Sequence, residues 1–466
     1  MKHTLIYTFF GVLPPIIGFV LLPVFLKYLT TNEYVILSLS NAFFAVFSIV
    51  LNLKVDQAFR HIYFFEPDNT TKQLSLFRSL FNFQVVLFCF WILIMYLFGN
   101  HVFILFFKNN ISFFPYTFIM MLSLFISMLN GFYFLYLQNK FEVKKYSIYV
   151  IINILLTPFL QVMCIKVLKL GFLWFLLSSL CANIFLFLLI IFNNRFLFKI
   201  EFSKNVIKEA LQFSLPFIPF LILYNLENQL DKFFIEKFLP LEDLASYSVL
   251  LSISSAIFIL FNSLDNAIRP ELFSLLSKKT EGFELLVQQK IDFYLLVGFV
   301  ALSFLCAFGT NIHWFLNHNK YNGISFYFPI VALAFSPLIL LRFLALILMY
   351  ENKIKKINYL TVAKIIVMTI LFYFLIPKLK INGALMTIGI SNLLNVCIFY
   401  TILETKVLPD IKNYFYFILF VLLNSVMLFL DKSSLVSSIA IFQFGLFILI
   451  FLIKYQKKLR RTLATL

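Results

Sequence analysis

The sequence predicts an all-α polytopic membrane protein. It has about fourteen transmembrane helices, read as two parallel six-helix repeats forming two lobes around a central cavity, plus a C-terminal helix pair. Three observations carry this. Apolar residues make up 62% of the 466, and mean hydropathy is +0.95. Apolar runs of about 20 residues, enough to cross the hydrocarbon core, recur from end to end. Short stretches of the first half also return about 210 residues later. A β-barrel would show short alternating strands instead. Helices also satisfy their own backbone groups in lipid.

Hydropathy places the first six spans at 5–27, 34–55, 80–98, 113–137, 147–165 and 171–192. The next six are 212–231, 244–267, 292–312, 324–349, 358–377 and 382–403, and a last pair covers 413–430 and 435–453. The chain then divides into an N-terminal six-helix lobe (1–200), a C-terminal six-helix lobe (201–408), and an additional helix pair with a basic cytoplasmic tail (409–466). The start, Met1 to Tyr28, has a thin basic end, a long apolar run with Pro14 and Pro15, and no small-residue cleavage site. It reads as a retained first helix rather than a signal peptide.

Charge sets the orientation. With the N-terminus cytoplasmic, 25 Lys and Arg fall on inside segments, Lys279 and Lys406 among them. Ten fall on outside turns, including Lys108 and Lys432. Cytoplasmic loops of membrane proteins carry such an excess. Both termini are therefore expected in the cytoplasm. The net charge of +17 is assigned to these loops, so no nucleic-acid partner is expected. The 65 Phe, with abundant Lys, Ile and Asn, fit an AT-rich genome, and aromatic clusters get no functional weight. Cys89, Cys164, Cys181, Cys306 and Cys397 lie in apolar segments without metal-ligand spacing and read as free thiols.

The repeat is clearest from Phe19 to Leu39 against Glu227 to Val249. There Lys27 falls on Lys237, Leu29 on Leu239, Glu33 on Asp243 and Ser38 on Ser248. Val143-Lys144-Lys145-Tyr146 falls on Ile354-Lys355-Lys356-Ile357, and Leu168-Lys169-Leu170-Gly171 on Leu379-Lys380-Ile381-Asn382-Gly383 with one insertion. Asn183 falls on Asn395. An even number of helices per repeat gives both halves one orientation, a common transporter plan with the substrate path between the halves.

Ionisable residues within spans cost roughly 2.5–3.5 kcal/mol each on insertion scales and are functional suspects by default. Asp56 and Arg60 end the second span, with Lys54 just before them; Asp265 and Arg269 end the eighth. Both pairs have the i,i+4 spacing of helical ion pairs. They read as cytoplasmic gate elements, or as interfacial salt bridges worth little. Arg342 and Lys364, at similar depth in adjacent spans, suit an anionic ligand such as a phosphate, Arg by its fork and Lys as a point charge. The plainer reading is snorkelling, or pairing of Arg342 with Glu351. Glu227, Asn228 and Asp231 close the seventh span, the two acids i,i+4 on one face, after Pro216 and Pro219. They read as an ion-coupling site, or as a solvated helix end in which Asp231 pairs with Lys232 or Lys237. No P-loop, nucleophile elbow or metal-ligand cluster is present. No cofactor, metal or enzyme activity is expected.

The chain resembles the Wzx-type O-antigen or capsule repeat-unit flippases of the multidrug/oligosaccharidyl-lipid/polysaccharide exporter superfamily. The resemblance rests on Pro23 with Phe25-Leu26-Lys27-Tyr28-Leu29-Thr30-Thr31-Asn32-Glu33-Tyr34, on Leu230-Asp231-Lys232-Phe233-Phe234-Ile235, on Ala245-Ser246-Tyr247-Ser248-Val249 and on Arg269-Pro270-Glu271-Leu272-Phe273. Val35 and Ala245 stand where the family usually has Gly. The resemblance implies translocation of an undecaprenyl-diphosphate-linked oligosaccharide from the cytoplasmic to the periplasmic leaflet by alternating access between two lobes. It also implies a coupling proton or sodium ion. It puts Arg342, Lys364 and Lys54 in the role of the cations that meet the pyrophosphate. A polysaccharide polymerase and a chain-length regulator are the implied partners, beside membrane lipids. Two rivals stand against it. One is a cation-coupled small-molecule exporter of the same superfamily. The other is a membrane-embedded glycan polymerase or ligase, a class that usually carries a large periplasmic loop.

Overall fold

The computed structural model describes residues 2–64, 70–107, 112–278, 282–316, 319–351, 353–404, 411–430 and 433–463. Lys108, Lys279, Lys406 and Lys432 lie outside the described residues. Among the described residues every regular element is a helix. Twelve segments are long and apolar enough to cross a bilayer. Their outward faces are apolar, as at Leu93, Leu97 and Leu105, which water would not tolerate over so many helices but lipid does. The protein is a multi-pass membrane protein.

The helices begin with α1 (Lys2–Tyr28), α2 (Thr31–Asn52), α3 (Val55–Ile62) and α4 (Thr70–Phe106). Then come α5 (Phe118–Asn139), α6 (Val143–Val162), α7 (Phe172–Asn193), α8 (Lys204–Ser214), α9 (Ile218–Glu227) and α10 (Leu230–Phe238). They continue with α11 (Leu241–Ser254), α12 (Ala256–Lys278), α13 (Phe283–Thr310), α14 (His313–Leu316), α15 (Phe328–Tyr350) and α16 (Ile354–Ile402). The last are α17 (Ile411–Leu428) and α18 (Ser433–Leu463). Contacts divide them into two compact units, Met1–Ala245 and Ser246–Leu466.

The sequence repeat is also a repeat of local structure. Thr30 caps α2 with a capping box: its hydroxyl accepts from Glu33 N, and Glu33 Oε2 accepts from Thr30 N at 2.7 Å. Pro240 holds the matching place before α11, and its carbonyl accepts from Asp243 N at 3.1 Å and Leu244 N at 3.3 Å. The basic pairs open α6 and α16 in the same register, at Val143 and Ile354. Lys169 and Lys380 share a left-handed backbone, φ 51° in each.

At Lys380 the long α16 folds back on itself. Lys364 Nζ donates to Asn392 Oδ1 at 2.9 Å across 28 residues; in a straight helix those residues would stand about 42 Å apart. The segment is a helical hairpin, as the separate spans at 358–377 and 382–403 anticipated.

Within the first unit, α3 is pinned by its apolar face. Phe59 is fully buried, its ring 4.8 Å from that of Phe132 on α5 and 6.2 Å from that of Phe77 on α4. The connection after α7 is stitched to α4: Arg78 donates to Phe196 O at 2.7 Å and to Glu201 Oε2 at 3.3 Å, and Asn82 donates to Lys199 O at 3.0 Å. In the second unit, α13 packs so closely on α15 that an added Cβ at Gly298 would meet Ile339 at 2.6 Å, and one at Gly309 would meet Phe328 at 2.1 Å. The added helix α18 joins this unit, with Gln443 Nε2 on Ser303 Oγ at 3.3 Å and Lys454 Nζ 3.6 Å from Asp292.

Candidate functional site

Three helices of the second unit converge on one polar cluster. On α12, Asn262 and Asp265 are three residues apart and share a face. From α13 comes Tyr294, fully buried, and from α15 comes Arg342. Asp265 Oδ2 accepts from Arg342 Nε at 3.0 Å and from Nη2 at 2.5 Å. Its Oδ1 accepts from Tyr294 Oη at 2.5 Å. Arg342 Nη2 also donates to Asn262 Oδ1 at 2.5 Å. The Phe261 ring centroid lies 5.9 Å from Arg342 Cζ, a cation–π distance.

The electrostatics follow from this geometry. The side chains of Arg342 and Asp265 are 23% and 12% exposed, so each charge loses most of its water. Each is compensated by the other, and every oxygen of Asp265 holds a donor. That completeness is what a buried pair needs to offset desolvation. Arg342 Nη1 donates to no described residue. Nη1 is therefore the donor left for an anion, while Asp265 and Asn262 hold Nε and Nη2.

The structure changes the pairing that the spacing suggested. Asp265 binds Arg342 and not Arg269, which is exposed at position i+4. In the first unit, Asp56 accepts from Asn52 Nδ2 at 2.9 Å, and no ion pair joins it to Arg60. Glu351 is not the partner of Arg342; it holds Lys353 at 2.8 Å, which also meets Glu404 at 3.1 Å. Lys353, between two spans, has its pKa raised: burial opposes the charge, but the hydrogen bonds to Glu351 and Glu404 prevail.

Arg342 and Lys364 do not share a level. Asn392, the partner of Lys364, donates to Ala334 O at 3.4 Å. Ala334 stands eight residues, about 12 Å along α15, from Arg342. Lys54 sits at the N-cap of α3 with left-handed backbone, φ 53°.

The expected seventh span is also broken. Pro216 and Pro219 separate α8 from α9 by a short 3-10 turn, and α9 stops at Glu227. Asn225 and Asn228 donate to the carbonyls of Leu221 and Tyr224 at 2.9 and 2.7 Å; the second of these lies in the last turn, whose carbonyls the ending helix orphans. Gln229 is not helical, and Asp231 begins α10, where its Oδ1 accepts from Lys232 N at 2.8 Å. Glu227 and Asp231 thus flank a break instead of sharing one helical face. Burial pushes the Lys232 ammonium below its ordinary range, against the pull of Asp231.

Asn262 and Tyr294 had no signal of their own among 22 Tyr and many Asn. The one signal that could have marked Asn262 is its i,i+3 spacing to Asp265.

A sequence model of the polysaccharide biosynthesis protein family matches residues 25–325. The chain belongs to this family. Among curated proteins none matches significantly. In fold this family member is similar to the lipid II flippase MurJ in an inward closed conformation, with TM-score 0.71 and 15% identity over 98% of this chain and 99% of that one. It is also similar to an inward-facing multidrug resistance MATE family transporter of the MOP superfamily, with TM-score 0.62 and 13% identity over 86% of this chain and 93% of that one. A MOP superfamily transporter from Pyrococcus furiosus, described by a reversed polarity of its binding pocket, gives TM-score 0.52 and 10% identity over 86% and 91%. The polysaccharide biosynthesis protein thus has the fold of MOP-superfamily flippases and transporters.

Proposed function

We propose that this polysaccharide biosynthesis protein is a flippase for undecaprenyl-diphosphate-linked oligosaccharide repeat units of O-antigen, capsule or another surface polysaccharide. It moves them from the cytoplasmic to the periplasmic leaflet of the inner membrane by alternating access, with both termini cytoplasmic. The observation that carries the reading is Arg342: a guanidinium inside an apolar helix, held through Nε and Nη2 by Asp265 and Asn262, with Nη1 left for a ligand. A charged donor at that depth suits a diphosphate. Lys364 and Lys54 add positive charge along the path. Asp56, Arg60, Asp265 and Arg269 form the cytoplasmic rim. Fourteen spans are arranged as lobes 1–200 and 201–408 with the pair 409–466. Partners are a polymerase and a chain-length regulator, beside the lipids.

The MATE likeness supports a second reading, a cation-coupled small-molecule exporter. The MATE structures cover 86% of this chain, whereas the lipid II flippase covers 98%. That wider coverage favours a lipid-linked substrate. Deleting the gene in a strain that makes the glycan is expected to leave single lipid-linked repeat units facing the cytoplasm. Unpolymerised units in the periplasmic leaflet would overturn the flippase reading in favour of a polymerase.

Transport is coupled to an ion gradient through the broken helix at Glu227, Asn228 and Asp231. Glu227→Gln with Asp231→Asn is expected to lower gradient-driven uptake in vesicles about tenfold, equivalent to about 1.4 kcal/mol. Unchanged uptake would remove these residues from the coupling path.

A further inference from the structure

The polar cluster of the second unit has a counterpart in the first, at the offset of the repeat. Asn52 stands 210 residues before Asn262, Gln84 stands 210 before Tyr294, and Gly131 stands 211 before Arg342. Asp56 stands 209 before Asp265, one residue out of register. The extra residue is absorbed where α2 breaks from α3, at Leu53 and Lys54, with φ 48° and 53°. In the second unit α12 runs on without that break. The surroundings match as well: α3 packs on α4 and α5 as α12 packs on α13 and α15.

The counterpart is also a connected node. Gln84 Nε2 donates to Asn52 Oδ1, and Asn52 Nδ2 donates to Asp56 Oδ1 at 2.9 Å. The difference is the cation. In the second unit Arg342 Nη2 bridges Asn262 Oδ1 and Asp265 Oδ2, at 2.5 Å from each. In the first unit the matching residue is Gly131, and an added Cβ there would meet nothing within 4 Å. Lys54 and Arg60 flank Asp56 in the chain, yet neither is ion-paired with it among the described residues. Tyr63, also outside the spans, has its pKa pushed up to about 12, burial being the largest cause, and stays neutral.

One atom at the node calls for a ligand. Gln84 is only 1% exposed, and its Oε1 is buried without a hydrogen-bond donor among the described residues. It belongs to the amide whose Nε2 holds Asn52. A buried carbonyl left without a partner costs about 1–3 kcal/mol. Asp56, Asn52 and Gln84 together offer one carboxylate and two amide carbonyls. These are hard oxygen ligands carrying a single negative charge, which one positive charge cancels and a dication would exceed.

We propose that Asn52, Asp56 and Gln84 form a binding site for an alkali-metal cation, in the place that the Arg342 guanidinium fills in the second unit. The two units share the Asn amide and the Asp carboxylate; the second holds a tethered cation against them and the first, with the Gln84 carbonyl in place of the Tyr294 hydroxyl, an exchangeable one. Use of this ion in transport rests on the flippase reading; its binding does not.

The test uses the purified full-length protein in detergent. Thermal unfolding is followed in NaCl and KCl, against choline chloride at equal ionic strength. The midpoint is expected to rise saturably with NaCl or KCl and not with choline chloride. Asp56→Asn and Gln84→Leu should weaken the apparent affinity at least tenfold. Asp265→Asn, whatever its own stability, should keep the alkali-dependent increment. Gly131→Arg supplies a tethered cation, and its midpoint should be raised without salt and no longer respond to it. If Asp56→Asn does not fold, Gln84→Glu serves instead, since a second carboxylate should shift the response toward Ca²⁺. A wild type indifferent to alkali cations, or an unchanged increment in Asp56→Asn or Gln84→Leu, overturns the site. Cation binding by a protein that leaves repeat units unflipped would overturn the function and keep the site.

Discussion

Arg342→Ala abolishes complementation of glycan export and destabilises the protein by roughly 3–5 kcal/mol, the usual penalty for leaving one member of a buried ion pair alone. The size follows from burial. Asp265 would keep only the Tyr294 hydroxyl and lose both bonds from the guanidinium, in a place with little water. Arg342→Lys restores a charge but not the fork that spans Asp265 and Asn262, so it should recover part of the stability and little transport. The paired replacement Arg342→Leu with Asp265→Leu separates the two roles. Removing both charges is often neutral or stabilising, so the double variant should unfold near the wild-type midpoint and still fail to export. Export restored in the double variant would leave the pair a purely structural role.

Gly383→Ala is expected to cost about 3 kcal/mol, the upper end of ordinary overpacking. Its Cβ would stand 2.3 Å from the carbonyl oxygen of Leu375 and 2.6 Å from the carbon. Both belong to backbone, so no rotamer change relieves the clash. The hairpin of α16 would have to open, loosening the contact that sets Lys364 on Asn392. The matching Gly171 is a control with a different physics. It has open space around it but a backbone at φ +86°, ψ −177°, a region almost closed to other residues, so Gly171→Ala should cost about 2 kcal/mol through conformation. Unfolding midpoints of the two variants in detergent check the ranking, and equal values would mean that the close approach at Gly383 relaxes freely.

Both predictions concern residues that the sequence singled out, though not as neighbours. Arg342 and Asp265 were each conspicuous as charges in apolar surroundings. Helical spacing assigned Asp265 to Arg269. That rule counts local geometry and not solvent: an exposed pair is worth at most about 1 kcal/mol, whereas Arg342 in its span needs several kcal/mol of compensation. The acid therefore goes to the cation with less water, 77 residues away. The spans, the repeat and the turn at Lys380 were legible because hydropathy and short motifs are local signals. Tyr294 and Gln84 were not, because a polar residue with one distant partner looks like any other polar residue in one dimension. The separation of α8 from α9 was visible in Pro216 and Pro219. The break after Glu227, where the Asn228 amide meets Tyr224 O, shows only in three dimensions.

The left-handed pair Leu53–Lys54 bears on how two repeated segments can differ in length. One residue added inside a helix turns everything beyond it by about 100°, which in an unbroken helix would carry the apolar face of α3, Phe59 included, round with it. Two successive positive-φ residues release that rotation at a single point, and α3 restarts with its own phase, fixed by Phe59 among the rings of α4 and α5. The two halves can thereby differ in length at this point while Phe59 keeps its place among those rings.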